Sequence, residues 1–338
     1  MAGTVFVSGG SGYIAGFLIR QLIAEGWTVH TTIRNLAREA EVRESLGVDN
    51  AKLKFFAADL MSDAGWAEAM AGCSHVAHVA SPLPADKPLH EDELIVPARD
   101  GALRALRAAK AAGIKRFVMT SSMAAIAYGH GGGKSVFTEA DWTDPTSPDA
   151  YPYVRSKTIA ERAARDWVAA EGGDMEFCTV NPSLVLGPLQ SGDFSTSLEA
   201  IKKLLEGSMP GMPNLGFGIV DVRDVADMHV RCLTAPNMAG ERFICSGPFL
   251  MLDEVAAILR AGLGPQARKV PKLKLPNWLV RIAARFDPVI SQVIGELGKR
   301  RESPANHARD VLGWVPRPVE ESVLDTARDM IRLGIVKV

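Results

Sequence analysis

Tyr153-Val154-Arg155-Ser156-Lys157 sets a phenol and an amine four residues apart. Apolar residues recur at helical spacing through residues 154–167 (Ile159, Ala160, Ala163, Ala164, Trp167), so both side chains share one helix face. A free phenol, with a pKa near 10, is a poor acid–base group at neutral pH. A neighbouring ammonium favours phenolate and shifts such a pKa by roughly one to three units. That moves the proton donor toward the range where general acid catalysis works. Tyr151 is an internal comparison, because its +4 position is Arg155. Taken alone, a Tyr-x-x-x-Lys pair also arises by chance on a helix surface. Thr120-Ser121-Ser122 closes the fifth apolar run, and carboxyl ends of strands in an open α/β sheet face a ligand crevice. A serine there can hold a carbonyl oxygen. Strand-end capping is the ordinary alternative, and it suits Ser121 better than it suits both.

A second group lies at Gly9-Gly10-Ser11-Gly12-Tyr13-Ile14-Ala15-Gly16, between the first strand-like run and the first helical run. Gly9 permits a tight turn, Gly12 lets the backbone approach a pyrophosphate, and the helix start offers free N–H groups. Any tight turn uses glycine, but this placement in a first βαβ unit points to a dinucleotide. NAD sites place an acid about 20 residues on, against the ribose 2′-OH. Here Thr31-Thr32-Ile33-Arg34-Asn35-Leu36-Ala37-Arg38 has arginines and no carboxylate. Arg34 can pair with a 2′-phosphate through its planar fork. Two solvated surface arginines are the alternative; the missing acid favours NADP(H).

These groups need a frame. Strand-like runs at residues 4–8, 28–33, 53–57, 74–80 and 116–120 alternate with helical patterns at 14–24, 64–70 and 93–112. Such alternation implies an α/β fold, a doubly wound parallel Rossmann sheet built from right-handed crossovers. After Asn181-Pro182, Pro, Gly and Met become frequent through residues 187–218. A strand–helix piece follows at 217–233, then a strand at 242–245. The remainder is mostly helical, with breaks at Pro271, Pro276, Pro288 and Pro304. The division expected is a Rossmann lobe binding NADP (1–181 plus 217–248) and a smaller, mostly helical substrate lobe (182–216 plus 249–338).

The 338 residues carry 47% hydrophobic side chains, enough for a large core. With 38 basic and 39 acidic residues the formal charge is −1, no footprint for nucleic acid or an anionic membrane. Cys73, Cys178, Cys232 and Cys245 have no CxxC spacing and read as reduced core residues in a cytoplasmic protein. No charged leader and no run of about 18 apolar residues is expected to target or anchor the chain.

In order along the chain stand Gly9-x-x-Gly12 with Ala15, Asp59-Leu60, His78-Val79-Ala80-Ser81-Pro82, Thr120-Ser121-Ser122, Tyr153-x-x-x-Lys157, Val180-Asn181-Pro182 and Val220-Asp221-Val222-Arg223-Asp224-Val225-Ala226. Over nearly its whole length the sequence resembles the extended short-chain dehydrogenase/reductase family. Within it, the sequence is similar to the branch of dihydroflavonol reductases, cinnamoyl-CoA reductases and fungal methylglyoxal/aldehyde reductases. The resemblance implies an NADP(H)-dependent carbonyl reductase. It makes Tyr153 the catalytic acid/base, Lys157 its tuner and ribose anchor, and Ser122, the second of its pair, the carbonyl-oxygen donor. Asp59 and Leu60 would contact adenine, Ala80 and Ser81 the ribose region, Pro182 and Ser183 the nicotinamide side. Ser11, Tyr13, Ile14, Pro82 and Thr120 complete the expected cofactor contacts. Ala15 replaces the usual third glycine. Arg104 stands where many relatives have Asn or Asp, so no proton-relay role is carried to it.

Other patterns are decoys. Residues 129–135 suggest a phosphate loop, but Tyr128 occupies the required first glycine position and no helical pattern follows. His75 and His78, read as sharing a strand face, lack carboxylate or cysteine partners at ligand spacing, so no metal is expected. Residues 278–297 are amphipathic, with Arg281 and Arg285 on the polar side; packing in the small lobe is favoured over a membrane surface. An epimerase or dehydratase would carry arginine at Cys178, and an NADP-binding redox sensor would typically lack the Tyr–Lys pair. A hydroxysteroid dehydrogenase working toward oxidation remains compatible. Residues 82–84, 123–128 and 184–217 are the expected pocket, apolar enough for an aromatic or medium-sized aldehyde or ketone. The partners expected are a small molecule and at most a second copy, with no nucleic acid and no membrane.

Overall fold

The β-branched and aromatic runs become strands: β1 (Thr4–Val7), β2 (Thr28–Ile33), β3 (Leu53–Ala57), β4 (His75–His78), β5 (Arg116–Thr120), β6 (Glu176–Pro182), β7 (Leu184–Leu186), β8 (Gly216–Asp221), β9 (Arg242–Cys245) and β10 (Phe249–Met251). The structure, a computed structural model, describes residues 3–48, 50–82, 88–131, 133–191, 196–285 and 294–337. Seven strands form one parallel sheet in the order β3-β2-β1-β4-β5-β6-β9, and β10-β8-β7 form a small second sheet. The order in which strands are added reverses between β1 and β4, the switch point where open α/β sheets hold ligands.

The connecting helices are α1 (Tyr13–Ala24), α2 (Glu39–Leu46), α3 (Trp66–Met70), α4 (Asp92–Ala111), α5 (Pro152–Glu171), α6 (Glu199–Glu206), α7 (Val222–Thr234), α8 (Leu252–Leu263), α9 (Asn277–Ala283), α10 (Asn306–Leu312) and α11 (Val319–Arg332). They cover both sheet faces, which is why β5 is apolar on both sides. Val5, Val7, Val29, Ala77 and Val118 pack on one face with Leu18 and Ile19 of α1. Phe6, Val76, Phe117 and Met119 pack on the other with Leu106 of α4 and Ala160 of α5. A third cluster, outside the large sheet, joins Leu186, Leu204, Ile219, Leu252, Leu259 and Val323.

Four local expectations change. His75 packs edge-on to Trp27, whereas His78 lies beside Trp66 and Phe117. The two histidines face opposite sides of the sheet, because side chains alternate and these are three apart. The fourth strand ends at His78 and not at residue 80, because the N–H groups of Val79 and Ala80 turn to the Ser8 hydroxyl, both at 2.9 Å. The third helix starts at Trp66: Gly65 takes φ +84°, and a Cβ there would stand 1.8 Å from the Ala57 carbonyl oxygen. In the segment expected to pack in a core, Val280 and Ala284 are buried but Trp278, Leu279 and Ile282 are exposed. Residues 286–293, with Pro288, lie outside the described residues.

Helix α5 is fastened to the sheet by one carboxylate. Glu161 is fully buried and accepts from Ser121 Oγ beyond β5, Thr179 Oγ1 (3.2 Å) and Asn181 Nδ2 (2.9 Å) of β6, and Arg242 Nε (2.7 Å) of β9. Arg165, one turn on, adds Nε at 3.2 Å. Burial alone would raise this carboxyl, but Arg242 and Arg165 hold it below the ordinary 4.5. Arg242 is itself 6% exposed, stacked 3.8 Å from the Trp142 ring and bonded to the Glu139 and Ala125 carbonyls.

Removing one partner of a buried pair leaves an uncompensated charge, so Glu161→Ala should cost about 3–5 kcal/mol in urea denaturation. Because the folded carboxyl titrates below the unfolded one, its stabilisation is present above pH 4.5 and lost as pH falls through the folded value. Wild type should therefore lose stability more steeply below pH 4.5 than Glu161→Gln, measured by urea midpoints at pH 3–6.

Candidate active site

The strand end and the first turns of α5 bring the three chemical groups together. Ser121 N–H continues the ladder to the Val180 carbonyl at 2.8 Å, and its hydroxyl goes to Glu161. Ser122 is extended (φ −165°, ψ 157°) and its Oγ accepts Ala124 N–H at 3.1 Å, capping a short 3₁₀ turn at Met123–Ala125. Capping thus falls to Ser122, while Glu161 holds the Ser121 hydroxyl. The Ser122 hydroxyl also acts on the Tyr153 phenol, favouring its ionised form.

Pro152 opens α5 and places Tyr153 in its first turn. Lys157, 7% exposed, brings Nζ to 5.8 Å from the Tyr153 ring centroid. Burial lowers its ammonium from 10.5 to about 8, with Glu161 pulling the other way. The expected lowering of the phenol is not what the site displays. Burial raises Tyr153 above 10, and the Ser122 hydroxyl offsets this in part. The lysine sits over the ring, and burial is the larger influence on the phenol.

The glycine turn is tightly enclosed. Gly9 takes φ +73°, Gly12 N–H bonds the Gly9 carbonyl at 2.8 Å, and a Cβ on Gly10 would lie 2.4 Å from Thr31 Oγ1. Among the described residues, the N–H groups of Tyr13 and Ile14 at the start of α1 have no partner. The Tyr13 ring meets Phe17 edge-on at 5.8 Å, so its backbone rather than its phenol serves the turn, alongside Ser11. Ala15 is fully buried, and a tight contact lies at Gly16, where a Cβ would meet Gln190 Oε1. These open donors in a space only glycine allows fit a dinucleotide pyrophosphate.

Opposite the turn, Ser8 Oγ accepts from Val79 and Ala80, so its own hydrogen goes to His78 Nδ1 at 3.1 Å. His78 therefore carries its proton on Nε2; burial and the Lys157 charge lower it to about 3, and it stays neutral. This fixes the chain leading to Ala80, Ser81 and Pro82. Arg34 is exposed just past β2 and makes no ion pair among the described residues, whereas Arg38 pairs with Glu41 at 2.7 Å. Asp59 Oδ1 accepts Met61 N–H at 2.7 Å, and the Leu60 carbonyl is held by Arg104, which also pairs with Asp63. Arg104 is therefore a brace for that turn.

On the far side, Asn181 Nδ2 also reaches the Ser122 carbonyl at 3.2 Å, beside Pro182. Ser183 Oγ is buried and has no partner among the described residues, leaving a hydroxyl for a ligand. Thr120 does not join the group: its hydroxyl is taken by His229 Nε2 at 2.7 Å.

Sequence reasoning missed a wall beside Tyr153. Tyr151 stacks on it at 6.5 Å, and Tyr128 meets Tyr151 edge-on at 5.9 Å. Arg301 lies 4.2 Å over the Tyr128 ring and pairs with Glu296 at 2.9 Å, while Lys299 reaches Asp149 at 3.2 Å. The stretch 123–128 carried a signal; Arg301 had only a charge to show. The phosphate-loop decoy is a surface segment: Glu302 N–H bonds the Ser135 carbonyl, and no helix follows before α5 among the described residues; Gly132 lies outside them. Among the described residues, no cluster of three metal-ligating side chains forms, and no helix is long and apolar enough to cross a membrane.

The sequence profile of the NAD dependent epimerase/dehydratase family matches residues 5–245. Cinnamoyl-CoA reductase CAD2 of Medicago truncatula is 36% identical over 263 residues, 76% of this chain and 78% of that protein. Dihydroflavonol 4-reductase of Zea mays is 32% identical over 296 residues, 85% and 80%. Among solved structures, yeast methylglyoxal/isovaleraldehyde reductase Gre2 complexed with NADPH superposes with a TM-score of 0.83 at 24% identity, covering 98% of this chain and 99% of that one. Vestitone reductase from alfalfa gives 0.78 at 26%, covering 99% and 100%.

The Lys157 ammonium yields a pH signature. Its folded value lies below its unfolded one, so the unfolded chain binds more protons between pH 8 and 10.5 and stability gains there as pH rises. The gain should reach up to about 3 kcal/mol. Urea midpoints of Lys157→Met across pH 7.5–10.5 should lack that component, and parallel curves for the two proteins would remove the claim.

Proposed function

The chain belongs to the NAD dependent epimerase/dehydratase family, among the extended short-chain dehydrogenases/reductases, and on that premise we propose that it reduces an aldehyde or ketone with NADPH, Tyr153 supplying the proton. The oxidoreductase class and the NADP(H) cofactor are shared with its reductase relatives. The observation that carries the reading is the meeting of Ser122, just past the carboxyl end of β5, with Tyr153 and Lys157 on the first turns of α5, Lys157 Nζ lying 5.8 Å from the Tyr153 ring centroid.

Bound NADPH supplies the hydride. The glycine turn and the start of α1 hold its pyrophosphate through backbone donors, with Arg34 at the 2′-phosphate. Asp59 and Leu60 meet the adenine side, and Ala80, Ser81 and Pro82 line the ribose. Pro182 and the unpartnered Ser183 hydroxyl take the nicotinamide side. Ser122 and Tyr153 converge on the carbonyl oxygen, and the phenol gives its proton to the developing alkoxide. Because burial keeps that phenol protonated above pH 10, the proton donor is present across the neutral range. Lys157, mostly protonated at pH 7, anchors the ribose and favours the phenolate left behind.

Residues 182–216 with 249–338 form the substrate lobe in this reading. Tyr128, Tyr151 and Met123 give the pocket an aromatic, apolar side that suits an aromatic or medium-sized carbonyl compound. The Arg301 and Lys299 charges are already met by Glu296 and Asp149, which leaves them poorly disposed toward a sugar phosphate. Residues 83–84 and 192–195, also expected in the lining, lie outside the described residues.

Arg34→Ala should abolish most of a preference for NADPH over NADH of at least about tenfold, since one charge-assisted contact is worth about 1.5–3 kcal/mol. Fluorescence titration of both cofactors measures it, and equal dissociation constants in wild type would remove the assignment.

Tyr153→Phe should fold and bind NADPH while turnover falls about 100-fold or more. Ser122→Ala should lose about 100- to 1000-fold in rate with cofactor affinity intact, by analogy with oxyanion donors. NADPH oxidation over a panel of aldehydes, ketones, flavanonols and acyl-CoAs is the assay. Wild-type turnover by Tyr153→Phe would eliminate this mechanism, and NADPH binding without turnover of any substrate would favour a sensor.

A further inference from the structure

Away from the cleft, residues 268–285 concentrate charge of one sign. They hold Arg268, Lys269, Lys272, Lys274, Arg281 and Arg285 and no acid, in a chain whose formal charge is −1. Whole-chain balance hid this. Lys274 pairs with Asp253 and Lys269 donates to the Lys337 carbonyl. Among the described residues, Arg268, Lys272, Arg281 and Arg285 make no ion pair.

The same stretch exposes large apolar side chains: Leu273 by 63%, Trp278 by 62%, Ile282 by 46% and Leu279 by 39%. On α9, Trp278 and Ile282 are four residues apart and Leu279 and Ile282 three, so they share the outward side while Val280 faces the core. Arg281 and Arg285 repeat at the same spacing and flank them. A clustered apolar patch of this kind on a globular surface marks an interaction site.

We propose that residues 268–285 dock reversibly on an anionic lipid surface, with α9 in the interfacial plane and Trp278, Leu279 and Ile282 toward the acyl chains. Indole rings sit well at headgroup depth, and basic flanks are drawn to acidic headgroups. Seven residues of helix reach about 10 Å, enough to lie in the interface and far too short to span it. The charge pattern also selects lipid over a second copy. Two such faces would set six cations against six with no acid in either stretch. Docking would bring the enzyme to the phase where apolar carbonyl compounds collect. The proposal does not rest on the reductase reading.

Co-sedimentation of the full chain with vesicles tests it. Vesicles of 30% phosphatidylserine in phosphatidylcholine should capture the protein at least about tenfold better than phosphatidylcholine alone in 0.1 M salt, at about fivefold per engaged cation. In 1 M salt, where the screening length falls to about 3 Å, the difference should vanish. Arg281→Glu with Arg285→Glu should lower capture by at least about 25-fold. Trp278→Ser with Ile282→Ser should abolish it, and neither pair should change NADPH-dependent turnover of a water-soluble aldehyde. Equal capture by neutral and anionic vesicles, or unchanged capture of the variants, would overturn the proposal. So would a dimer in sedimentation velocity that the Trp278/Ile282 variant dissolves, because the face would then belong to a second copy.

Discussion

The arrangement of the site depends on a buried carboxylate that touches neither substrate nor cofactor in our reading. Glu161 sits on α5 one turn beyond Lys157 and two beyond Tyr153, and it draws hydrogen bonds from residues on or just beyond β5, β6 and β9. A helix packed only by apolar contacts could slide or rotate by a fraction of a turn at small cost. A carboxylate with its lone pairs filled from three strands cannot, since any shift strands a buried charge. The phenol and the ammonium on that helix inherit its register relative to the Ser122 strand end.

The cofactor side is held by a different device. There, hydroxyls take the place of ladder hydrogen bonds where β1 and β4 diverge. Ser8 satisfies two N–H groups and fixes the tautomer of His78, while Thr32 Oγ1 accepts the N–H of Gly9 at 3.1 Å. Neutral hydroxyls suit this place: they satisfy the backbone at the switch point without adding a charge that would compete with a phosphate.

What was legible in the sequence follows from range. The strands at residues 28–33, 53–57, 116–120 and 242–245 were readable to the residue, because β-branched and aromatic side chains cluster in them. The Tyr153–Lys157 pair was readable because four-residue spacing is local. Glu161 was not: a glutamate in the middle of a helix looks like any solvated one, and its partner Arg242 is 81 residues away. The bond from Ser121 to Glu161 was hidden for the same reason. The raised Tyr153 phenol was missed because desolvation is set by the packed surroundings rather than by the nearest charge in the sequence. Trp278 and Ile282 misled in the opposite sense, since large apolar residues normally signal a core.

The 81-residue gap between Glu161 and Arg242 has a temporal consequence. At ribosomal speeds of about 5–20 residues per second, the carboxylate is synthesised about 4–16 s before its guanidinium. Through that interval a nascent chain can lay down β1 to β6, yet closing α5 onto them would bury Glu161 without its main counter-charge. The helix that bears Tyr153 and Lys157 must stay loosely held until β9 emerges. The last strand of the large sheet to be made is thus the one that locks the helix bearing Tyr153 and Lys157, and a chain released before residue 242 would carry every one of its reactive side chains without the counter-charge that fastens that helix.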